Sequence, residues 1–227
     1  MTTFSALVDD IVQERQRPDM RAAIARYVNQ TIRELHIRPG NGAPIRFEAN
    51  MVEVEVLLTG SAPYTWDIPE AQRFMDVGAV YHKNYGVYMP RKIPSVSRNL
   101  QMEPLSNLYW YRSGHTLAFS GVVEGHTIQL AYYLYPRNLP YLLAADREVI
   151  HDVEADAYTT PLGATPTEAQ IEKETNWILQ RWPMVVAEGT TAKVFRILGD
   201  DTRSRTAYSA YEQIRLGMWN SEPCAME

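Results

Sequence analysis

The sequence predicts an α+β fold, a helical bundle made from both ends of the chain with an antiparallel β-sheet or small barrel inserted between them. Two observations carry this. Apolar residues recur at helical spacing from Phe4 to Leu35 and again from Ile171 to Ile214, but between Ile45 and Tyr158 they alternate with polar ones at period two. Neither helical end has enough apolar stripe for a core of its own, so the two must share one.

At the start, Phe4, Leu7, Val8, Ile11 and Val12 form one face of a helix, with Thr3 as its cap. Pro18-Asp19 breaks it, because the residue before a proline avoids the α region. A second stripe, Ile24, Tyr27, Val28, Thr31, Ile32 and Leu35, stops before Pro39-Gly40-Asn41-Gly42. Val52, Val54, Val56 and Leu58 then alternate with Glu53, Glu55 and Leu57, which predicts a strand with one wet face. A short helix is expected at 69–75 and a hairpin at 81–88 turning on Lys83-Asn84. Residues 108–111 and 116–120 flank Arg112-Ser113-Gly114-His115 as another hairpin, and 126–136, HTIQLAYYLYP, is a strand that Pro136 stops.

Helix returns at Thr165-Pro166-Thr167-Glu168, read as a Thr165 cap, Pro166 in the first helical position and Glu168 reaching back to the cap. Ile171, Ile178 and Trp182 mark its buried face. Pro183 bends the helix, which resumes through Met184, Ala187, Thr191, Val194 and Leu198. Asp200 or Asp201 caps a last helix that carries Ala207, Ala210, Tyr211 and Ile214 and ends at Gly217. The expected domains are 1–40 for the first bundle helices, 41–159 for the inserted β-rich domain, 160–219 for the remaining helices and 220–227 for a mobile tail.

Bulk properties exclude several functions. With 45% hydrophobic and 22% charged residues the chain is a folded protein, and a net charge of −5 argues against a dedicated nucleic-acid binder. One cysteine, Cys224, allows neither an intramolecular disulfide nor a thiolate zinc site. Acids stand where a signal peptide needs positive charge, and no apolar run approaches the ~18 residues of a membrane span, so folding in a reducing cytoplasm is expected. The 14 tyrosines, many between Tyr64 and Tyr158, suit a sheet with a Tyr-rich surface or a wet interface.

No catalytic, cofactor or metal set is predicted. His36, His82, His115, His126 and His151 fall in no metal-ligand spacing, and His115 and His126 read as exposed turn residues. The stretch 151–156, HDVEAD, is the best metal candidate by composition and reads as solvated surface. No GxSxG, P-loop or GxGxxG run is present. Glu53, Glu55 and Asp67 could do acid–base work on a glycan, but carboxylates on a wet strand are ordinary surface far more often.

The segment NWILQRWPMVVAEGTTAKVFRILGDD, 176–201, asks for more explanation. Trp177 and Trp182 are five residues apart, so one straight helix points them in different directions. Gly189 lets another backbone approach closely. A kinked helix apolar on more than one side suits an oligomer, which makes Trp177, Trp182 and Gly189 candidates for a subunit interface. A kinked core helix in a monomer is the alternative.

The opening TFSALVDDIVQERQRPDMRAAIARYVNQTIRELH resembles the N-terminal helix pair of head-to-tail adaptor (connector) proteins of tailed bacteriophages. The pattern that carries the likeness is Ala25-Arg26-Tyr27-Val28-Asn29-Gln30-Thr31-Ile32-Arg33 after the Arg17-Pro18-Asp19 break. Trp177-Ile178-Leu179, Pro183, Glu188-Gly189, Ala192-Lys193-Val194-Phe195 and Leu198-Gly199-Asp200-Asp201 are similar to that family's C-terminal helices, as is a closing helix with Ala207, Tyr208 and Tyr211. The hairpin 111–117 and the strand 128–135 look like the β region of larger members. The likeness covers both helical ends and only loosely the middle.

The resemblance implies a structural virion protein with no catalysis and no cofactor. It would form a ring, typically of twelve copies, docked on the phage portal in the virion neck and made in the host cytoplasm. The ring would extend the DNA channel, passing DNA without sequence-specific binding, and would give a tail or nozzle protein its platform; no membrane is involved. Net acidity suits such a channel, which should not hold phosphates through many Lys contacts. By the same analogy Met218, Trp219, Pro223 and Met226 are candidates for portal binding. The competing readings are a virion-associated cell-wall (glycan) hydrolase and another tail-completion or oligomeric scaffold protein.

Overall fold

The computed structural model describes residues 3–38, 42–92, 108–152 and 157–222. It divides into two compact units, one from the described residues of Met1–Ile45 and Pro136–Cys224, the other from those of Arg46–Tyr135. Among the described residues, six helices and open antiparallel sheets make it α+β, and the sheets do not close into a barrel.

The first unit holds α1 (Phe4–Arg15), α2 (Arg21–Glu34), α3 (Glu168–Glu174), α4 (Trp177–Arg181), α5 (Pro183–Ile197) and α6 (Asp201–Ser221). The Thr3 hydroxyl accepts from the Ala6 N–H at 3.3 Å and starts α1. A 3₁₀ turn at Pro18–Met20, braced by an Arg17–Asp19 ion pair at 2.7 Å, turns the chain into α2. Both expected stripes are buried: Phe4, Val8, Ile24, Val28 and Leu35 are fully inaccessible. They pack with Val185, Val186 and Val194 of α5 and Met218 of α6, also inaccessible, so the two ends of the chain share one core.

Residues 136–149 run along α1 and α2. The Asn29 amide donates to the Leu139 carbonyl and accepts from the Leu139 N–H, both at 2.9 Å. The Ser5 hydroxyl accepts from the Leu142 N–H at 2.8 Å, and the Tyr141 hydroxyl donates to Asp9 at 2.9 Å. A small ribbon, β8 (Ile150–Asp152) with β9 (Ala157–Thr159), completes this unit; residues 153–156 of the metal candidate lie outside the described residues.

Three sequence expectations change here. Thr167 caps α3, not Thr165, and Gln170 is its reciprocal partner, its side chain accepting from the Thr167 N–H at 2.8 Å. Both threonines open a Thr-x-x-Glu/Gln box; the second leaves Pro166 outside and puts Glu168 in the first turn, where the helix dipole favours it. Pro183 does not kink one helix but separates two: Trp182 is non-helical at φ −132°, ψ 45°, and Pro183 starts α5. Finally, α6 does not end at Gly217 but continues to Ser221, because Met218 and Trp219 beyond the glycine are packed or bonded.

The second unit has β1 (Met51–Leu57), β2 (Tyr64–Asp67), β3 (Phe74–His82), β4 (Val87–Tyr88), β5 (Tyr109–Ser113), β6 (Thr116–Ser120) and β7 (Thr127–Leu134). They form a four-stranded sheet, β1-β7-β3-β4, and a three-stranded one, β2-β6-β5. Ile68, Val77, Val80, Trp110, Leu117, Phe119, Ile128, Leu130 and Tyr132 fill one core between residues of both sheets. The hairpins expected at 81–88 and 108–120 are present. The helix expected at 69–75 is not: Glu70 takes a left-handed φ of 50° and Phe74 already begins β3. β3 bulges on either side of Val77, and a Cβ at Gly78 would lie 2.8 Å from the Tyr133 ring.

Candidate functional site

An open groove of about 900 Å³ runs along the helical unit between α2, α5 and α6. Its floor is Gly189 and Ala192, small residues that let α5 lie deep. Lys193 crosses it, donating to Glu34 at 2.6 Å and to the Thr31 hydroxyl at 2.8 Å. Arg196, Arg205, Asp201 and Glu212 give its walls both signs of charge. Its rim is apolar and open, with Ile197 58% exposed and Tyr208 54%; Leu216, 52% exposed, stands beyond the groove, about two turns further along α6. Mixed charge beside exposed apolar side chains suits a polypeptide partner.

Of the described residues singled out in the sequence as interface or portal candidates, Gly189 lines this groove, whereas Trp177, Trp182, Met218 and Trp219 do not. A Cβ on Gly189 would lie 2.6 Å from Thr31 Cγ2 and 2.8 Å from Tyr211 Cδ2. The close approach that the glycine permits is therefore by this chain's own α2 and α6, which accounts for it without a neighbouring subunit. Half-buried Trp177 meets His36 edge-on, centroids 6.0 Å apart. Trp182 donates its indole N–H to Glu222 at 2.6 Å, and Arg181 holds the other oxygen of that carboxylate at 3.0 Å. Both tryptophans thus have contacts within the chain and keep only part of their surface for a neighbour.

Among the portal candidates, Met218 is fully buried, so it is corrected to a core residue: contact with another protein would require α6 to open. Trp219 is half-buried, its indole donating to the Leu35 carbonyl at 3.0 Å and Arg215 lying 4.5 Å over its ring. Pro223 and Met226 lie outside the described residues. Burial pushes the Tyr211 hydroxyl up to about 12, so it stays a neutral phenol at physiological pH.

Replacing Trp182 by Phe keeps an aromatic ring, though a smaller one, and removes a hydrogen bond to a nearly buried carboxylate. The expected cost is about 1.5 kcal/mol in urea unfolding, and Glu222→Gln on top of it should cost little more. Additive losses would mean that the two groups do not act as a pair.

The carboxylates considered for acid–base chemistry do not share one sheet. Glu53 and Glu55 sit on the solvent face of β1 in the four-stranded sheet, where Glu55 pairs with Lys83 at 2.8 Å, whereas Asp67 is exposed on β2 of the other. Glu53 borders a hollow of about 470 Å³ with Ala79, Tyr81, Tyr88, Gln129 and Ala131. Among the described residues no group of three or more His, Cys, Asp or Glu could hold a metal ion, and no helix is long and apolar enough to cross a membrane.

One cluster was missed. His82 is fully buried, stacked on Tyr85 at 4.2 Å, and its Nε2 lies 3.0 Å from Nδ1 of half-buried His126. The Tyr85 N–H donates to His82 Nδ1 at 3.1 Å, so Nε2 carries the proton and donates onward to His126. Burial, then the neighbouring imidazole, holds His82 below the usual histidine range. Reading His126 as exposed followed from its glycine neighbour; only the pairing of β3 with β7 reveals the partner.

No protein-family model matches the chain, and no curated protein matches it at a significant level.

Proposed function

We propose that the protein is a ring-forming head-to-tail connector of a tailed bacteriophage, without catalytic activity or cofactor. The observation that supports the reading best is the exposed apolar rim of the α2–α5–α6 groove, with Ile197 and Tyr208 standing beside charges of both signs and exposed Leu216 further along α6. An isolated subunit gains nothing from such a rim, and a neighbouring copy would cover it. The helix patterns at both ends, which resemble that family, belong to the same unit as the groove. In this reading a ring, typically of twelve copies, docks on the portal, extends the DNA channel and carries a tail or nozzle protein. Trp219, Pro223 and Met226 are the portal-side candidates, and the exposed parts of Trp177 and Trp182 remain candidates for the neighbouring copy.

The test mixes the purified protein with isolated portal rings and examines the product by cryo-electron microscopy and sedimentation. The expected result is a second ring stacked on the portal. The double variant Tyr208→Glu, Leu216→Glu should lose that ring yet keep the wild-type helical signal, since both side chains are more than half exposed. Absence of any association with portal rings, or turnover of cell-wall glycan by the purified protein, would overturn the reading.

A further inference from the structure

Among the described residues β1 is an edge strand, hydrogen-bonded to β7 on one side only. Which of its main-chain groups are free follows from the ladder. The Leu58 N–H donates to the His126 carbonyl at 2.9 Å, so in this antiparallel register Val56, Val54 and Val52 also turn their N–H and C=O toward β7. Glu53 and Glu55 must turn theirs outward, and no main-chain partner meets them among the described residues. The other edges are shorter or covered: β4 has two residues, β2 four, and β5 is bonded along Pro90–Lys92 through Trp110.

The side chains on this edge are patterned. Glu53 and Glu55 are exposed on one face, about 7 Å apart, and flanked by exposed Met51 and Leu57. Val52, Val54 and Val56 on the opposite face pack on the core and are only half-buried. A strand laid beside β1 would set one row of its side chains against glutamates and the alternate row against valines. A second copy of β1 fits poorly. Paired antiparallel about Val54, it would oppose Glu53 to Glu55, like charge to like.

We propose that β1 is a docking edge for an extended segment of another protein in which Lys or Arg alternates with apolar residues. Main-chain hydrogen bonds to Glu53 and Glu55 hold the segment, its basic row faces the two carboxylates, and its apolar row completes the burial of the valines. The inference does not depend on the connector reading.

The probe is a fluorescein-labelled Val-Lys-Val-Lys-Val-Lys-Val peptide, with a Val/Glu peptide as control, titrated against the full chain by fluorescence anisotropy. The Val/Lys peptide should bind about tenfold or more tightly than Val/Glu at low salt, and less so as salt rises. Glu53→Gln removes charge but keeps the N–H; Glu53→Pro also removes the outward donor without touching the β7 ladder. The proline variant should therefore bind more weakly than the glutamine one. Glu53→Lys with Glu55→Lys should reverse the preference between the peptides. In the wild type, added Val/Lys peptide should slow amide exchange at Glu53 and Glu55, a readout that stands even where a variant does not fold. Equal binding of both peptides, no protection of those amides, or β1-mediated dimerisation of the chain itself would each overturn the proposal.

Discussion

Gly189→Ala is expected to destabilise the helical unit by about 2 kcal/mol, although alanine is the better helix former. Propensity alone would favour the substitution by about 1 kcal/mol. Against it stand Thr31 Cγ2 at 2.6 Å and the Tyr211 ring at 2.8 Å from the new methyl. Neither neighbour yields cheaply. Thr31 is fully buried with its hydroxyl committed to Lys193, and Tyr211 is 3% exposed, so α2 or α6 must shift. Overpacking of this kind costs about 1–3 kcal/mol, occasionally more, and here it outweighs propensity. Urea unfolding checks the size. Thr31→Ser, which removes Cγ2 and keeps the hydroxyl, should recover part of the loss in the double variant. A neutral or stabilising Gly189→Ala would show that the helices are not in contact at this crossing.

The second large effect is acid sensitivity through His36. Its ring is fully buried beside Trp177, with Nδ1 donating to the Ile32 carbonyl at 2.9 Å. Burial lowers its pKa to about 4 from an unfolded value of 6.5. Between those values the unfolded chain binds a proton that the folded chain refuses. Stability is therefore level above pH 6.5 and falls as pH drops toward 4, by roughly 3 kcal/mol across the window. His82, lowered by burial, acts in the same sense, whereas Glu174, raised by burial, acts in the opposite one. The deciding measurement is thus the difference between wild type and His36→Asn in urea unfolding from pH 7 to pH 4.5. The gap should narrow as pH falls; a constant gap would mean that His36 is protonated without strain or that the site opens locally.

Much of the fold was legible because its signals are local. The Thr3 cap, the Pro18 break and the alternation of Val52, Val54 and Val56 each need only a few neighbouring residues to be read. Where two local solutions competed, as at Thr165 and Thr167, spacing did not choose between them. Tertiary decisions were not legible. Whether α6 stops at Gly217 depends on Met218 finding the core and Trp219 finding the Leu35 carbonyl. For Gly189 the sequence foretold tight packing but not whose atoms would come near, and they belong to α2 and α6 of the same chain. The His82–His126 pair joins residues 44 apart, through a strand pairing that periodicity leaves open. The groove rim was invisible as well, since Ile197 and Tyr208 read as ordinary helix positions until α5 and α6 are placed.

The helical unit draws its core from Phe4–Leu35 and from residues between Leu139 and Met218, whereas the β unit is contiguous from Arg46 to Tyr135. On a translating ribosome, α1 and α2 emerge before the β unit yet have little to bury their stripes against until residues 136–149 and then α4 and α5 are made. The β unit meets its own partners before then, so α1 and α2 complete their core only after it, and any premature stop upstream of residue 136 releases a chain with two bare apolar stripes.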